Sequence, residues 1–418
     1  MKLPEDNKHK ISAMMTEQLE DLRDEEQIIT VFVEKDNKMS TASFNEEFKL
    51  AGAKVIERFD AINTDVVQVK ASQLKDILKN PAVKSVSMEQ TYHLALDVAR
   101  KVAIDPKGPP IETNLSGKGV TIAIIDSGIY PHPDLSLPNN RIIGFYDVFK
   151  QQEVQPFDDG GHGTHCAGCA AGNGSSSNGK YRGLAYQANL VGVRVFEGRS
   201  TATSNIVRGV QWCIDNKEKY GIKIMSLSLG GTAIIPAEDD LLCKILREAQ
   251  NQGISVVVAA GNAGARPQTV ESPGIDPELI TVGATNDKNT NDSSDDDVPN
   301  FSGRGPTKFG HQKPDIVAPG TNIISLRSKN SEYDRSAPQF RVGEWYCTMN
   351  GTSMATPIVA GMVALLYKAK PDATPKEIKE AILNGAQDLF HDVNSAGKGY
   401  LSLKAALEQL NVPVTVAH

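Results

Sequence analysis

A chain of 418 residues exceeds the usual size of one domain and can bury a full core without disulfide or metal staples. With 40% hydrophobic and 23% charged residues, 35 Gly and 22 Pro, its composition excludes disorder, collagen and coiled coil. A net charge of −7 excludes a nucleic-acid partner held by a strongly basic surface.

The first residues, Met1-Lys2-Leu3-Pro4-Glu5-Asp6, lack the apolar core of a signal peptide. No run of about 18 apolar residues predicts a membrane span. Five scattered cysteines, an odd number, suit reduced thiols better than a disulfide framework. A cytoplasmic protein is expected, with secretion the alternative if a leader preceded residue 1.

Residues 1–25 read as a loosely ordered polar leader, and 26–93 as a small domain. The β-branched run 28–33 predicts a strand, 44–51 a helix, and 54–59 and 64–69 two more strands. A helix is predicted over 72–78, with Leu74, Ile77 and Leu78 on one face and Ser72 as its cap, followed by a strand at 83–86. That order, β-α-β-β-α-β, is ferredoxin-like. Residues 94–118 carry the linker composition Asp105-Pro106-Lys107-Gly108-Pro109-Pro110. Beyond it, 119–410 form a second domain and 411–418 a tail. Apolar strands are predicted at 120–125, 190–195, 222–229, 254–259 and 279–282. Helical spacing joins Ile206, Val210 and Cys213, and again Leu242, Ile245, Leu246 and Ala249. Strands alternating with helices predict an α/β domain whose parallel sheet is covered on both faces. The acidic stretch 286–300 reads as a surface loop; its run Asp295-Asp296-Asp297 suits solvent or an ion.

Three segments carry chemistry. Ile124-Ile125-Asp126-Ser127-Gly128 ends a buried strand on a carboxylate, and strand carboxyl ends are where sites form in open α/β sheets. Gly160-Gly161-His162-Gly163-Thr164-His165-Cys166 sets a histidine among small residues at a helix start. Asn350-Gly351-Thr352-Ser353-Met354-Ala355-Thr356-Pro357 leads into a long apolar helix whose N-terminus favours developing negative charge. Alone, the first is a turn, the second a structural histidine and the third a helix cap. Together they supply a serine, the base it needs and the carboxylate that fixes the base's tautomer. A metal cluster of His162, His165, Cys166 and Cys169 is rejected, since His162 is claimed by the triad and no second ligand pair lies nearby.

From about 105 to 410 the chain resembles the subtilisin-like serine proteases, the subtilases, whose catalytic order is Asp…His…Ser. The resemblance implies a subtilisin-like parallel sheet and the triad Asp126, His162 and Ser353. Ala259-Ala260-Gly261-Asn262 resembles the segment that supplies the oxyanion-hole asparagine, Asn262. Ser228-Leu229-Gly230-Gly231 resembles the strand that pairs with substrate, so Ser228, Leu229, Gly230, Gly231, Ala259, Ala260 and Gly261 are expected to bind polypeptide. The small domain is similar to the family's inhibitor-like propeptide, an intramolecular inhibitor whose tail near 89–96 would lie in the cleft. By the same resemblance Cys166 sits buried beneath His162. No cofactor is needed for chemistry. A structural calcium is implied at Asp315, joined by carbonyls near Pro277 and Leu279, while 173–179 lacks a ligand pattern for the family's strong calcium loop. Glu271 aligns near the floor of the S1 pocket: turned inward it would favour Lys or Arg at P1, and turned outward it would only meet solvent. The expected protein is a serine endopeptidase working through an acyl-enzyme and made as a self-processing zymogen. A catalytically silent peptide-binding scaffold and a narrow-specificity processing protease are the alternatives.

Overall fold

In the strand Ile28–Lys35, successive side chains alternate between two environments. Ile29, Val31 and Val33 enter the core of the small domain, whereas Phe32 points away, into a core shared with the large domain. The computed structural model describes residues 10–11, 26–35, 52–88, 91–94, 99–100, 115–288 and 296–413. The helix expected over 44–51 lies outside the described residues.

The small domain is a four-stranded antiparallel sheet, in the order Lys54–Phe59, Thr64–Lys70, Ile28–Lys35, Val83–Met88. Helix Leu74–Lys79 buries Leu74, Ile77 and Leu78 against it, the three residues its spacing predicts. Two expectations are corrected. Ser72 does not cap that helix: it lies in a preceding 3-10 turn, and its hydroxyl donates to Glu26 instead. The leader is not loose throughout, because Ile11 bridges to Val86 and joins the small core, and Lys10 Nζ donates to the carbonyls of Leu78 and Asn80.

The opposite face of the small sheet docks on the large domain. Phe32, Phe59 and Val66 share one apolar cluster with helices Thr203–Asp215 and Leu241–Asn251. Lys244 Nζ lies 2.8 Å from Glu34, and Arg208 pairs with Glu57 at the rim. Burial pushes the Glu34 carboxyl up, but the Lys244 and Lys84 ammonium groups outweigh it and hold it down at about 2.

The large domain is built on an eight-stranded sheet, in the order Ile316–Pro319, Ile280–Thr285, Ser255–Ala259, Ile222–Leu227, Thr121–Asp126, Asn189–Arg194, Ile142–Asp147, Gln152–Glu153. All neighbours are parallel except the last pair. The period of two again sorts the residues: Ile122 and Ile124 face one layer of helices, Ala123 and Ile125 the other. The first layer contains His162–Ala171 and Thr352–Ala369; the second contains Thr203–Asp215 and Leu241–Asn251. Strands Ile142–Asp147 and Ile316–Pro319 escape the sequence reading. The first is interrupted by Gly144 and has Ile143 exposed; the second is only four residues long.

Helix Thr352–Ala369 is long and apolar enough to cross a membrane by length and composition, alone in this among the described residues. Its apolarity has another cause. It is buried on nearly every face, at the centre of the core cluster it shares with the sheet strands and the histidine helix. Each fully buried Ile, Val, Leu or Met there contributes about 1.5–3 kcal/mol. All five cysteines are buried free thiols, as their scatter predicts.

Candidate active site

Strand Thr121–Asp126 delivers Asp126 to the carboxyl edge of the sheet, where it is 1% exposed. Helix His162–Ala171 presents His162 at its first position. Nδ1 of His162 lies 2.8 Å from Asp126 Oδ1 and 3.0 Å from Oδ2. The Ser127 N–H donates to Oδ1 at 2.7 Å, so the carboxylate is anchored from two sides.

The histidine helix begins at a glycine and has no cap of its own. Asp158 performs that task from upstream. Its Oδ1 accepts from the Gly161 N–H at 2.8 Å, and its Oδ2 from the Thr164 N–H at 2.8 Å and the Thr164 hydroxyl at 2.6 Å. The Ser127 hydroxyl donates to Asp158 and accepts from the Gly163 N–H, which ties the end of the Asp126 strand to the helix bearing His162. Burial pushes the Asp158 carboxyl up although these bonds oppose it. Neither Asp158 nor the Ser127 hydroxyl was singled out from sequence. The available signal was an acidic residue four positions before His162, at the start of a helix.

Ser353 stands in the first turn of Thr352–Ala369, where backbone N–H groups have no intrahelical partner. Its hydroxyl donates to the Ser228 carbonyl at 3.2 Å, and the Ser228 hydroxyl donates to the Ser353 carbonyl at 2.8 Å. Cys166 Sγ is 3.4 Å from the Ser353 carbonyl and 3.8 Å from His162 Nδ1, so Asp126, His162 and Ser353 come together around it. Burial holds the Cys166 thiol well above its ordinary pKa. Asp126, His162 and Cys166 do place an oxygen, a nitrogen and a sulfur within 4.8 Å of one another. The Asp–His bond uses two of these ligands, and the third is a protonated thiol. His165 faces elsewhere, bonding the Ile323 carbonyl at 3.0 Å, and burial lowers its pKa to about 3.

Asn262 follows strand Ser255–Ala259. Its Oδ1 accepts from the Thr352 N–H at 2.9 Å and the Thr352 hydroxyl at 3.2 Å. The amide orientation is thereby set: the carbonyl end is held by Thr352, and the NH2 end remains as the donor.

A strand already lies in the cleft. Thr91–Leu94 pairs antiparallel with Ser200–Ala202 on one side and Leu229–Gly230 on the other, with His93 opposite Gly230 and Leu94 opposite Leu229. Gly231 exchanges two hydrogen bonds of 2.9 Å with Ser272, and Glu271 N–H donates to the Ala260 carbonyl at 2.9 Å. Gly261 accepts from the Gly303 N–H at 2.9 Å. The expected substrate-binding residues therefore form two facing walls joined by 271–272. Glu271 turns inward between those walls. A Cβ on Gly230 or on Gly261 would collide with its carboxylate, so the acid depends on both positions lacking a side chain. Burial alone raises the Glu271 pKa to about 7.

Asp315 is a correction. The sequence resemblance gives it to calcium together with carbonyls near Pro277 and Leu279. In the fold, Lys313 and Lys379 place their ammonium groups on that carboxylate, at 2.6 and 3.2 Å. These residues do not fit a calcium site, because the oxygens that would coordinate an ion are bound to N–H groups. The loop after the histidine helix is likewise closed by the chain itself. Ser176 N–H and the Ser175 hydroxyl donate to Asp134 Oδ1 at 2.9 and 3.2 Å, and the Tyr346 hydroxyl donates to Oδ2 at 2.8 Å. Asp297, from the acidic run, pairs with Lys288 at 3.1 Å.

A family model described as the Subtilase family matches residues 117–400. Serine protease AprX of Bacillus subtilis is 47% identical over 341 residues, spanning 80% of this chain and 76% of that protein. Subtilisin E of Bacillus subtilis is 30% identical over 393 residues, spanning 92% of this chain and 91% of that protein. Fervidolysin from Fervidobacterium pennivorans, a keratinolytic enzyme related to subtilisin, shares the fold with a TM-score of 0.73 at 22% identity, over 94% of this chain and 63% of that one.

Proposed function

The chain belongs to the subtilase family as a subtilisin-type serine protease, and from that premise we propose that it is an endopeptidase made as a self-inhibited, self-processing precursor. The observation that carries this reading is the strand Thr91–Leu94, laid between Ser200–Ala202 and Leu229–Gly230 beside Ser353. An extended peptide held by backbone pairing on both sides is the geometry in which a protease presents a scissile bond. Here the small domain supplies that peptide.

In the proposed cycle His162 takes the Ser353 hydroxyl proton as Oγ attacks the substrate carbonyl. Asp126 holds the imidazole with Nδ1–H toward it and stabilises the imidazolium. The Asn262 NH2 and the Ser353 backbone N–H donate to the developing oxyanion, a contribution of about 3–4 kcal/mol for a side-chain donor of this kind. The imidazolium then passes its proton to the leaving amine. Water, deprotonated by His162, attacks the ester, and Ser353 Oγ leaves with the proton returned to it. No step needs a cofactor. A serine-directed fluorophosphonate is the direct test. The processed enzyme should gain one adduct, on Ser353, and a folded His162→Ala chain should gain none. A folded wild type that neither cuts itself nor takes the label would leave only the silent scaffold.

Glu271 gives the specificity. As a carboxyl whose pKa lies near 7, it is neutral below that pH and anionic above it. Peptides with Lys or Arg at P1 should therefore gain on those with Leu at P1 as pH rises through about 7. Glu271→Gly should lower kcat/KM for basic P1 residues by about 10–100-fold and flatten that pH dependence, the worth of one charge-assisted hydrogen bond in a closed pocket. An unchanged P1 profile across both enzymes would remove Glu271 from the pocket's function.

A further inference from the structure

The carboxylate of Asp315 sits in a small cage of oxygens that the chain closes on itself. Lys379, from helix Pro375–Asn384, brings Nζ to 2.7 Å from the Pro277 carbonyl, 2.6 Å from the Leu279 carbonyl and 3.2 Å from Asp315 Oδ2. An ammonium has three donors, and these three acceptors use all of them. Lys313 Nζ adds bonds of 2.9 Å to the Leu279 carbonyl and 2.6 Å to Asp315 Oδ2. The Thr281 N–H also donates to Oδ2, at 2.8 Å. The side chains are 1% (Lys313), 9% (Asp315) and 14% (Lys379) exposed, so the cluster is nearly dry.

We infer that the paired ammonium groups of Lys313 and Lys379 are a resident dication that fills a structural cation seat, making this part of the fold indifferent to calcium. Together they carry the +2 of one calcium ion, delivered on two tethered arms rather than from solution. A calcium ion wants six to eight oxygens at 2.3–2.6 Å, and here the nitrogens already lie among the oxygens it would need. Bringing it in would also set it against two like charges in a place of low dielectric. Burial lowers the Lys313 pKa to about 8, with Asp315 opposing that fall and Lys379 adding to it, as expected of an amine sharing one carboxylate with a second amine. The seat spans sequence-distant elements: the 277–279 turn, the segment entering Ile316–Pro319, and the helix Pro375–Asn384. It therefore fastens that helix to the edge of the sheet.

The test is thermal unfolding of the full-length Ser353→Ala chain, which removes self-digestion, in calcium chloride and in EDTA at matched ionic strength. The parent should melt within about 1 °C in both media, since a ligand stabilises only by binding the native state. Lys313→Met with Lys379→Ala should melt roughly 5 °C lower in EDTA, the scale for breaking a buried pair in a domain of this size, and should recover part of that loss in calcium. If the double variant does not fold, Lys379→Ala alone should melt lower than the parent in EDTA. A calcium gain in the parent that Asp315→Asn abolishes would overturn the inference, as would a folded double variant blind to calcium or a single variant melting with the parent. A gain in the parent that survives Asp315→Asn belongs to another place on the molecule and supports a filled seat here.

Discussion

Replacing Ser353 by alanine should leave the 418-residue chain uncut and lower peptide hydrolysis by about 10^6-fold. Its hydroxyl is bonded to the Ser228 carbonyl, at the end of the strand that pairs with the cleft peptide. The described cleft strand ends at Leu94, opposite Leu229, one residue short of Ser228 on the facing strand. The bond predicted to meet the nucleophile therefore follows shortly after Leu94. Intact mass should show wild type cut shortly after Leu94, and Ser353→Ala uncut. The substitution removes one oxygen that donates a single 3.2 Å bond, and leaves the Ser228 hydroxyl bound to the backbone carbonyl of residue 353. Its melting temperature should not fall, so a lost activity cannot be read as lost folding. A Ser353→Ala chain that still cleaves itself in a purified sample would assign the nucleophile elsewhere.

The elements that could be read from sequence are those whose burial is periodic. Leu74, Ile77 and Leu78 repeat at helical spacing and face one core. The strand ending at Asp126 is wholly buried because helices cover both faces, and so reads as an unbroken apolar run. The site was legible where residues close in the chain carry the chemistry, as around His162 and Ser353. It was not legible where the partners are distant. Ser228 and Ser353 bond across 125 positions, and Lys379 meets Asp315 across 64. No periodicity encodes such pairs; only the folded chain brings them together. Glu271 shows a third kind of gap. Its position near the pocket could be aligned, but its direction depends on two glycines, 230 and 261, whose missing side chains leave the carboxylate its space.

Asp126→Asn should retain the fold yet lower kcat by about 10^4-fold with KM little changed. The buried Asp126 carboxylate serves two donors at once, the Ser127 N–H at 2.7 Å and His162 Nδ1 at 2.8 Å. Asparagine has the same shape but only one oxygen. That oxygen is claimed by the Ser127 N–H, a buried backbone donor that would otherwise lose its acceptor. The amide NH2 must then face Nδ1, at the place where Oδ2 now lies 3.0 Å away. Facing a donor, Nδ1 has to accept, and the ring proton moves to Nε2. A histidine protonated there cannot take the proton of Ser353. Substrate pairing with Ser200–Ala202 and Leu229–Gly230 does not involve residue 126, so binding should persist. Asp126→Ala makes a different comparison: it strands the Ser127 N–H and should lower the melting temperature as well as kcat. Steady-state kinetics and unfolding of both variants separate the two roles. An Asp126→Asn enzyme within tenfold of wild type would mean that the carboxylate only fastens the strand end and does not set the imidazole's tautomer.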